Sequence, residues 1–264
     1  YDSLTSTGVQ MSDIAVIGEP NHLRSVLNQR CIYQEMGRSC KFCAIESWWA
    51  GYQDKSPALV AEVARAAYSE GMVKHATLST GTAASQGRGL EGLVETAKLI
   101  HQDVDITKTL NFEPVKDIGL LDSLLREGKA AGATTALCNI EVFDENLREE
   151  VMPVKGKNTV ADYIKVWQKC VEIFGKNEVY TMVIAGLGES DASILRGVEL
   201  AASYGVVTSV VPHTPMRNAV YEDMTPPTVD QMLHLYEETL PIYEKYDLEL
   251  YGGTGGIYTS LKGM

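Results

Sequence analysis

The 264-residue sequence contains no run of the ~18 apolar residues that a membrane-spanning helix needs. No secretory leader is read ahead of the first element. Positive charge is scarce: 23 Lys and Arg stand against 35 Asp and Glu, for a net charge of −12 and a pI near 4.9. Such a surface argues against nucleic acid or an anionic membrane as the main partner, while leaving room for a local basic pocket. Cysteines number five, an odd count that makes a poor disulfide framework and sets a reducing cytoplasm as the expected location. There is no internal repeat and no low-complexity tract. The glycine turn Gly186-Leu187-Gly188 does not continue into the six-residue Gly-x-Gly-x-x-Gly spacing, which counts against a bound dinucleotide there. The first residue is Tyr1 rather than Met, so the absence of a terminal motif carries no weight.

What is present is enough for one sizeable core. Apolar residues make up 45% of the chain, and its length suits a single α/β barrel of ~250 residues. Short β-rich runs alternate with amphipathic helical stretches. Strands are predicted at 26–33, 76–80, 107–112, 134–141, 179–185 and 206–211, with one more at 248–251. Helices are predicted to follow Ser56-Pro57, an N-cap with Pro at the first helical position. Others are predicted at 90–101, 118–130, 145–151, 161–174, 190–204 and 229–246. In the first helix Leu59, Val60, Val63 and Ala67 share one face. Alternation of this kind implies a parallel sheet with helices outside, either doubly wound or closed toward a barrel. About six units favour a partial (β/α)6 TIM-like barrel of parallel strands. The expected organisation is an N-terminal extension over 1–26, the barrel over 27–251 and a C-terminal tail over 252–264.

The most informative stretch runs Cys31-Ile-Tyr-Gln-Glu-Met-Gly-Arg-Ser-Cys40-Lys-Phe-Cys43. Thiolates suit zinc and iron–sulfur centres. Three cysteines on a four-iron cluster leave one iron without a protein ligand, open to a small molecule. A structural zinc site needs a fourth Cys or His, and His22 is the nearest histidine. Inert buried thiols are the third option. Spacing alone leaves all three open.

Cys40-Lys-Phe42-Cys43, with an aromatic residue before the last cysteine, resembles the signature of the radical S-adenosylmethionine (SAM) superfamily. The common spacing there is three residues then two, whereas here it is eight then two. Further segments resemble the SAM-binding elements of that superfamily in the same order. Ser79-Thr80-Gly81-Thr82 is similar to the element contacting the SAM amino group. Asn139-Ile140-Glu141 resembles the Asn-x-Asp ribose contact of biotin synthase. Ala185-Gly186-Leu187-Gly188-Glu189 is similar to the glycine-rich element beside adenine. A basic residue among Arg148, Lys155 and Lys157 is implied as the partner of the SAM carboxylate. Ordinary strand-to-helix turns and a solvated basic face are the plainer accounts of these segments. His213, after the sixth strand, is a candidate to donate a proton or bind substrate, with a structural histidine as the alternative. Glu113 is a further inward-facing catalytic candidate.

The narrower likeness is to biotin synthase-like and lipoyl synthase-like proteins, including the two-component lipoyl synthases and a radical SAM group found with nitrilase gene clusters. The resemblance implies a [4Fe-4S] cluster on Cys31, Cys40 and Cys43 and a bound SAM. Reductive cleavage would give a 5′-deoxyadenosyl radical that takes hydrogen from an unactivated C–H bond. Sulfur insertion is the first expectation for the product, and a rearrangement or oxidation the second. Sulfur insertion usually draws on an auxiliary cluster, for which Cys138 and Cys170 alone give too few ligands. Implied partners are a small-molecule or carrier-protein-bound substrate, an electron donor such as ferredoxin or flavodoxin, and a second subunit. Two rivals predict differently. A zinc-stabilised, non-catalytic binding module would hold zinc and ignore SAM. A barrel hydrolase or aldolase with a lysine nucleophile would work in air.

Overall fold

A computed structural model describes residues 3–18, 21–47 and 53–249. In chain order the elements are α1 (Met11–Ile14), β1 (Val16–Gly18), β2 (His22–Val26), α2 (Ile32–Glu35), α3 (Pro57–Ser69), β3 (His75–Ser79), α4 (Leu90–Asp103) and β4 (Thr107–Asn111). There follow α5 (Ile118–Ala130), β5 (Ala133–Leu137), α6 (Glu145–Val151), a 3-10 turn at Lys155–Lys157, α7 (Val160–Phe174), β6 (Val179–Ala185), α8 (Asp191–Ser203), β7 (Val207–Pro212) and α9 (Val229–Lys245). The strands form one seven-stranded sheet in sequential order, β1 to β7. β1 runs antiparallel to β2, and every later pair is parallel. A doubly wound sheet needs a reversal of strand order. None occurs here, and the sheet curls into a half-barrel with the helices between its strands.

Local chemistry sets the helix starts. Ser56, Asp117, Asp144, Thr159, Ser190 and Thr228 each cap a helix by accepting a backbone N–H one turn in. Thr159 and Asp162 complete a reciprocal capping box. The core lies between the sheet's outer face and the helices. There Leu23, Ala76, Leu78, Leu110, Ala136 and Val183 meet Val60, Leu93, Leu121 and Trp167, all at most 2% exposed. Each fully buried aliphatic side chain contributes ~1.5–3 kcal/mol. Among the described residues no helix is long and apolar enough to cross a membrane.

The structure corrects the first predicted strand. The strand is His22–Val26, residues 27–31 are irregular, and Ile32–Glu35 is helical. β1 and β2 thus stand ahead of residue 27, and the β1 hairpin was not foreseen. The reason is that the inward face of β2 carries His22 and Arg24, so the strand lacks the apolar run that marks buried parallel strands. The strand predicted over 134–141 ends at Leu137. Beyond it, Glu141 sits at φ +58° and makes an isolated parallel bridge to Val183. Leu248 is buried but belongs to no strand. Residues 250 and 251 of the predicted last strand, and the tail over 252–264, lie outside the described residues.

Candidate active site

The carboxyl ends of β2 to β7 open onto a cavity of about 710 Å³. Phe42 and Cys43 line it from the cysteine loop, Ser79, Thr80 and Thr82 from the end of β3, and Glu113 from beyond β4. Asn139 and Glu141 line it after β5, and Lys155 from the 3-10 turn. Nine of the predicted site residues therefore come together in one space, drawn from five stretches of chain.

The cysteine loop is built as a strap over the barrel mouth. Cys31 stands just before α2. Cys43 donates its N–H to the Cys40 carbonyl at 3.0 Å, closing the tight turn that two intervening residues allow. Lys41 donates to the Val151 carbonyl (2.9 Å) and accepts from Tyr221 N–H (2.8 Å), which pins the turn on both sides. The Thr82 carbonyl accepts from Ile32 N–H at 2.9 Å, and the Asn28 carbonyl accepts from Gly81 N–H at 2.6 Å. Gly81 thus serves the loop rather than the cavity, which it does not line. A Cβ there would lie 2.9 Å from the Asn28 oxygen and 3.3 Å from the Cys31 nitrogen. We expect Gly81→Ala to cost ~1–3 kcal/mol by overpacking and to lower the iron retained per chain after reconstitution. Unchanged denaturation and iron content would refute this placement.

The three thiols are near enough to act on one another electrostatically. Burial pushes Cys40 and Cys43 up from the usual thiol range; the Lys155 ammonium works in the opposite sense. Ligation needs thiolates, so a cation beside them suits the task. A zinc ion with Zn–S bonds of ~2.3 Å would need its thiolates within ~4 Å of each other. Among the described residues no group of three or more His, Cys, Asp or Glu is placed to hold one metal ion. Three thiolates are a donor set that suits an iron–sulfur centre. His22 is no fourth zinc ligand: it begins β2, ~13 Å of strand away from the end that leads to Cys31, and its Nε2 lies 2.8 Å from Thr77 Oγ1.

Lys155 Nζ donates to Glu141 Oε1 at 2.6 Å, both side chains being at most 14% exposed. Desolvation is the largest influence on Lys155 and works against the ammonium, but Glu141, Tyr163, Glu113 and Cys40 together outweigh it and hold the pKa well above its ordinary value. Lys155 is therefore held as an ammonium and is not the free amine that a lysine nucleophile requires. The other Glu141 oxygen, Oε2, and Asn139 Oδ1 are buried with no partner in the protein. Both residues line the cavity, and buried acceptors without partners call for hydroxyl donors. Glu141 also holds a left-handed backbone that a side chain of its type rarely adopts. Strain of this kind persists where the surroundings enforce it. Here Glu141 N–H donates to Met182 O and Glu141 O accepts from Ile184 N–H, each at 2.8 Å.

Glu113 is a hub. Its carboxylate accepts from the Tyr33 and Thr82 hydroxyls and from Asn158 Nδ2 (3.1 Å), and lies 3.6 Å from Arg88. So occupied, it ties the cysteine loop, the end of β3 and the segment after Lys155 together.

Several predicted residues fall elsewhere. His213 is 2% exposed, does not line the cavity, and has Nε2 3.3 Å from the Tyr221 carbonyl, a structural contact. Lys157 is exposed. Arg148 is fully buried and bonds backbone carbonyls. Gly186 and Gly188 adopt φ of +94° and +103° but do not line the cavity, and a Cβ on Gly186 would meet Pro227 Cδ at 2.8 Å. The Glu189 carboxylate accepts from Phe143 N–H (3.0 Å), Asp144 N–H (2.8 Å) and Ser193 Oγ (2.7 Å). That glycine-rich element supports the loop carrying Glu141 rather than touching the cavity. Cys138 and Cys170 are fully buried in the outer core. The sequence reading missed His22, Arg24, Thr77, Asn111, Ser209 and Tyr236 as cavity residues. For the strand residues, period-two alternation was the signal, since His22, Arg24 and Val26, or Thr77 and Ser79, share a face.

A half-barrel of sequential parallel strands with a tri-cysteine strap at its mouth defines a class of redox-cofactor enzyme scaffold. The Radical SAM superfamily profile matches residues 36–201, more than half of the chain, and the chain belongs to that superfamily. The match begins after Cys31, so the structure rather than the profile brings that cysteine to the site. No curated protein matches the chain by sequence. Among solved structures, the FeFe-hydrogenase maturase HydG from Carboxydothermus hydrogenoformans is similar at a TM-score of 0.62 and 17% identity, over 86% of this chain and 51% of that one. Methylornithine synthase PylB is similar at a TM-score of 0.57 and 11% identity, over 86% and 64% respectively. The chain thus spans about half the length of HydG, and at these identities the likeness is one of fold.

Proposed function

We propose that this chain is a radical SAM enzyme whose Cys31, Cys40 and Cys43 hold a [4Fe-4S] cluster. When bound, that group supplies the electron that cleaves SAM to a 5′-deoxyadenosyl radical able to take hydrogen from an unactivated C–H bond. The observation that carries the reading is the pair of orphaned acceptors, Asn139 Oδ1 and Glu141 Oε2, sharing a cavity with Cys43 and Phe42. They suit the two hydroxyls of a ribose. Lys155, charged and already oriented by Glu141, is the residue that would hold a SAM carboxylate, and the hydroxyl oxygens of Thr80 and Thr82, which donate to Gly81 O and Glu113, would accept from its amino group. The apolar side of the cavity, with Ile184, Val211 and Met216, excludes water from a reactive species.

Cys138 and Cys170 lie in the outer core, so among the described residues no thiol beyond the strap is brought to the cavity. Sulfur insertion in the manner of biotin or lipoyl synthesis would draw on a sulfur donor outside these residues, whereas rearrangement or oxidation of a small molecule needs none. The acidic chain suits a basic face on an electron donor of the ferredoxin or flavodoxin kind.

Anaerobic reconstitution with iron and sulfide, then spectra of the reduced protein with and without SAM, test the proposal. A four-iron signal that shifts on adding SAM, with 5′-deoxyadenosine released on reduction, is expected. A colourless protein that holds one zinc and ignores SAM would overturn it.

A further inference from the structure

The cavity is larger than one end of it requires. At about 710 Å³ it lies well inside the ~300–1,000 Å³ range of ligand pockets and has room for a small second molecule beside a nucleoside. Its two sides differ in chemistry. β5 to β7 contribute Leu137, Met182, Ile184 and Val211, whereas β2 to β4 contribute His22, Arg24, Thr77 and Asn111.

Two groups point to a ligand that the SAM-binding residues do not account for. His22 is 4% exposed, and its Nδ1 has no partner; Ser209 is 1% exposed, and its Oγ has none. Both line the cavity below the strand ends where Cys43, Asn139 and Glu141 gather: His22 opens β2, and Ser209 is the third residue of β7. Burial and then the Arg24 charge lower His22 to about 4, so at neutral pH it is an uncharged hydrogen-bonding group. Arg24, two residues along the same face of β2, brings a cation to the cavity. It has contacts of its own within the protein, but a guanidinium carries five N–H donors and binds carboxylates through two at once. The side formed by β6 and β7 offers an apolar bed.

We propose that the substrate is a small carboxylic acid with an apolar body, its carboxylate read by Arg24 and His22 and its body lying against Met182 and Val211. This rests on the radical SAM reading above. It also disfavours a carrier-bound substrate, whose acyl group has no free carboxylate at that end.

The probes are hexanoate, hexanamide and hexylammonium, which share a chain and differ in the head group. Equilibrium dialysis against the anaerobically reconstituted protein with SAM present measures each. Hexanoate is expected to bind about tenfold or more tightly than hexanamide, as a charge-assisted contact requires, and hexylammonium most weakly. Arg24→Gln is expected to abolish the preference and Arg24→Lys to keep part of it, with urea midpoints verifying that both variants fold. Equal binding of acid and amide, tighter binding of the amine, or a preference that survives Arg24→Gln would each overturn the assignment. The SAM-induced spectral change in the wild-type protein separates the two readings. If it is present and the acid has no advantage, the substrate class alone falls. If it is missing, the radical SAM reading falls and takes this one with it.

Discussion

Cys43→Ala is expected to yield a folded protein that gives no SAM-responsive four-iron signal and no detectable 5′-deoxyadenosine. Cys43 lines the cavity, and its backbone closes the turn with Cys40. The side chain is only partly buried, so its truncation costs stability little, ~1 kcal/mol or less. The loss is one of ligation, because two thiolates cannot hold what three do. The sharper comparison is Cys31→Ala. The spacing common in the superfamily would place the first ligand at position 36, where this chain has Met36, 53% exposed. If the eight-residue spacer only relocates the first ligand, Cys31→Ala abolishes the signal as fully as Cys43→Ala. Cys138→Ala, in the outer core, is expected to keep the signal. A four-iron spectrum that survives in Cys31→Ala would show that another group completes the site.

The sequence reading succeeded where periodicity and capping speak to one answer. Helix α5 was placed at both ends, and its start is fixed by Asp117 capping Leu120 N–H. α6 and β6 were likewise placed at both ends. The cysteine loop stands out in the sequence because three of the five thiols fall within thirteen residues, but the spacing alone does not choose between zinc, an iron–sulfur centre and inert thiols. Failures occur where side chains serve the cavity instead of the core. β2 was set too late because its inward positions are His22 and Arg24. Asn139 and Glu141 do reach the cavity together, but not as alternate residues of a strand: the ladder stops at Leu137, and the turn of Glu141 into left-handed backbone aims it. The glycine-rich element after β6 was read as a ligand contact because glycine permits close approach. Its close neighbours are Pro227 and Leu147, both within the protein. His213 lies beside the Tyr221 carbonyl and off the cavity, and a histidine at a strand end has no sequence mark that separates a proton donor from a buried hydrogen-bond donor.

Arg148→Leu is expected to destabilise the fold by ~2–4 kcal/mol, because it strips the guanidinium from three buried carbonyls, of which Ile140 O keeps the Val142 N–H at 2.7 Å. Arg148 is 0% exposed. Its Nε donates to the Asn158 carbonyl at 3.1 Å, and its Nη1 to the Ile140 carbonyl at 3.0 Å and to the Val142 carbonyl. The guanidinium also lies 4.9 Å from the Tyr163 ring centroid. Each buried acceptor left unpaired costs ~1–3 kcal/mol, while the added apolar contact of Leu returns only ~1–2 kcal/mol. Nη2 has no partner in the protein, so part of the native arginine's own desolvation is already uncompensated; this holds the estimate below the sum of three full bonds. Arg148→Lys restores a charge but not the fork and is expected to recover less than half of the loss. The carbonyls concerned flank Glu141 on both sides, and Asn158 donates to Glu113. The same substitution should therefore weaken SAM binding even at temperatures where the variant remains folded. Urea denaturation gives the first quantity, and the SAM concentration that half-saturates the cluster's spectral change gives the second. A variant within ~0.5 kcal/mol of the wild type would mean that solvent satisfies those carbonyls, and that Glu189 and the Met182 and Ile184 backbone bonds suffice to set the loop holding Glu141.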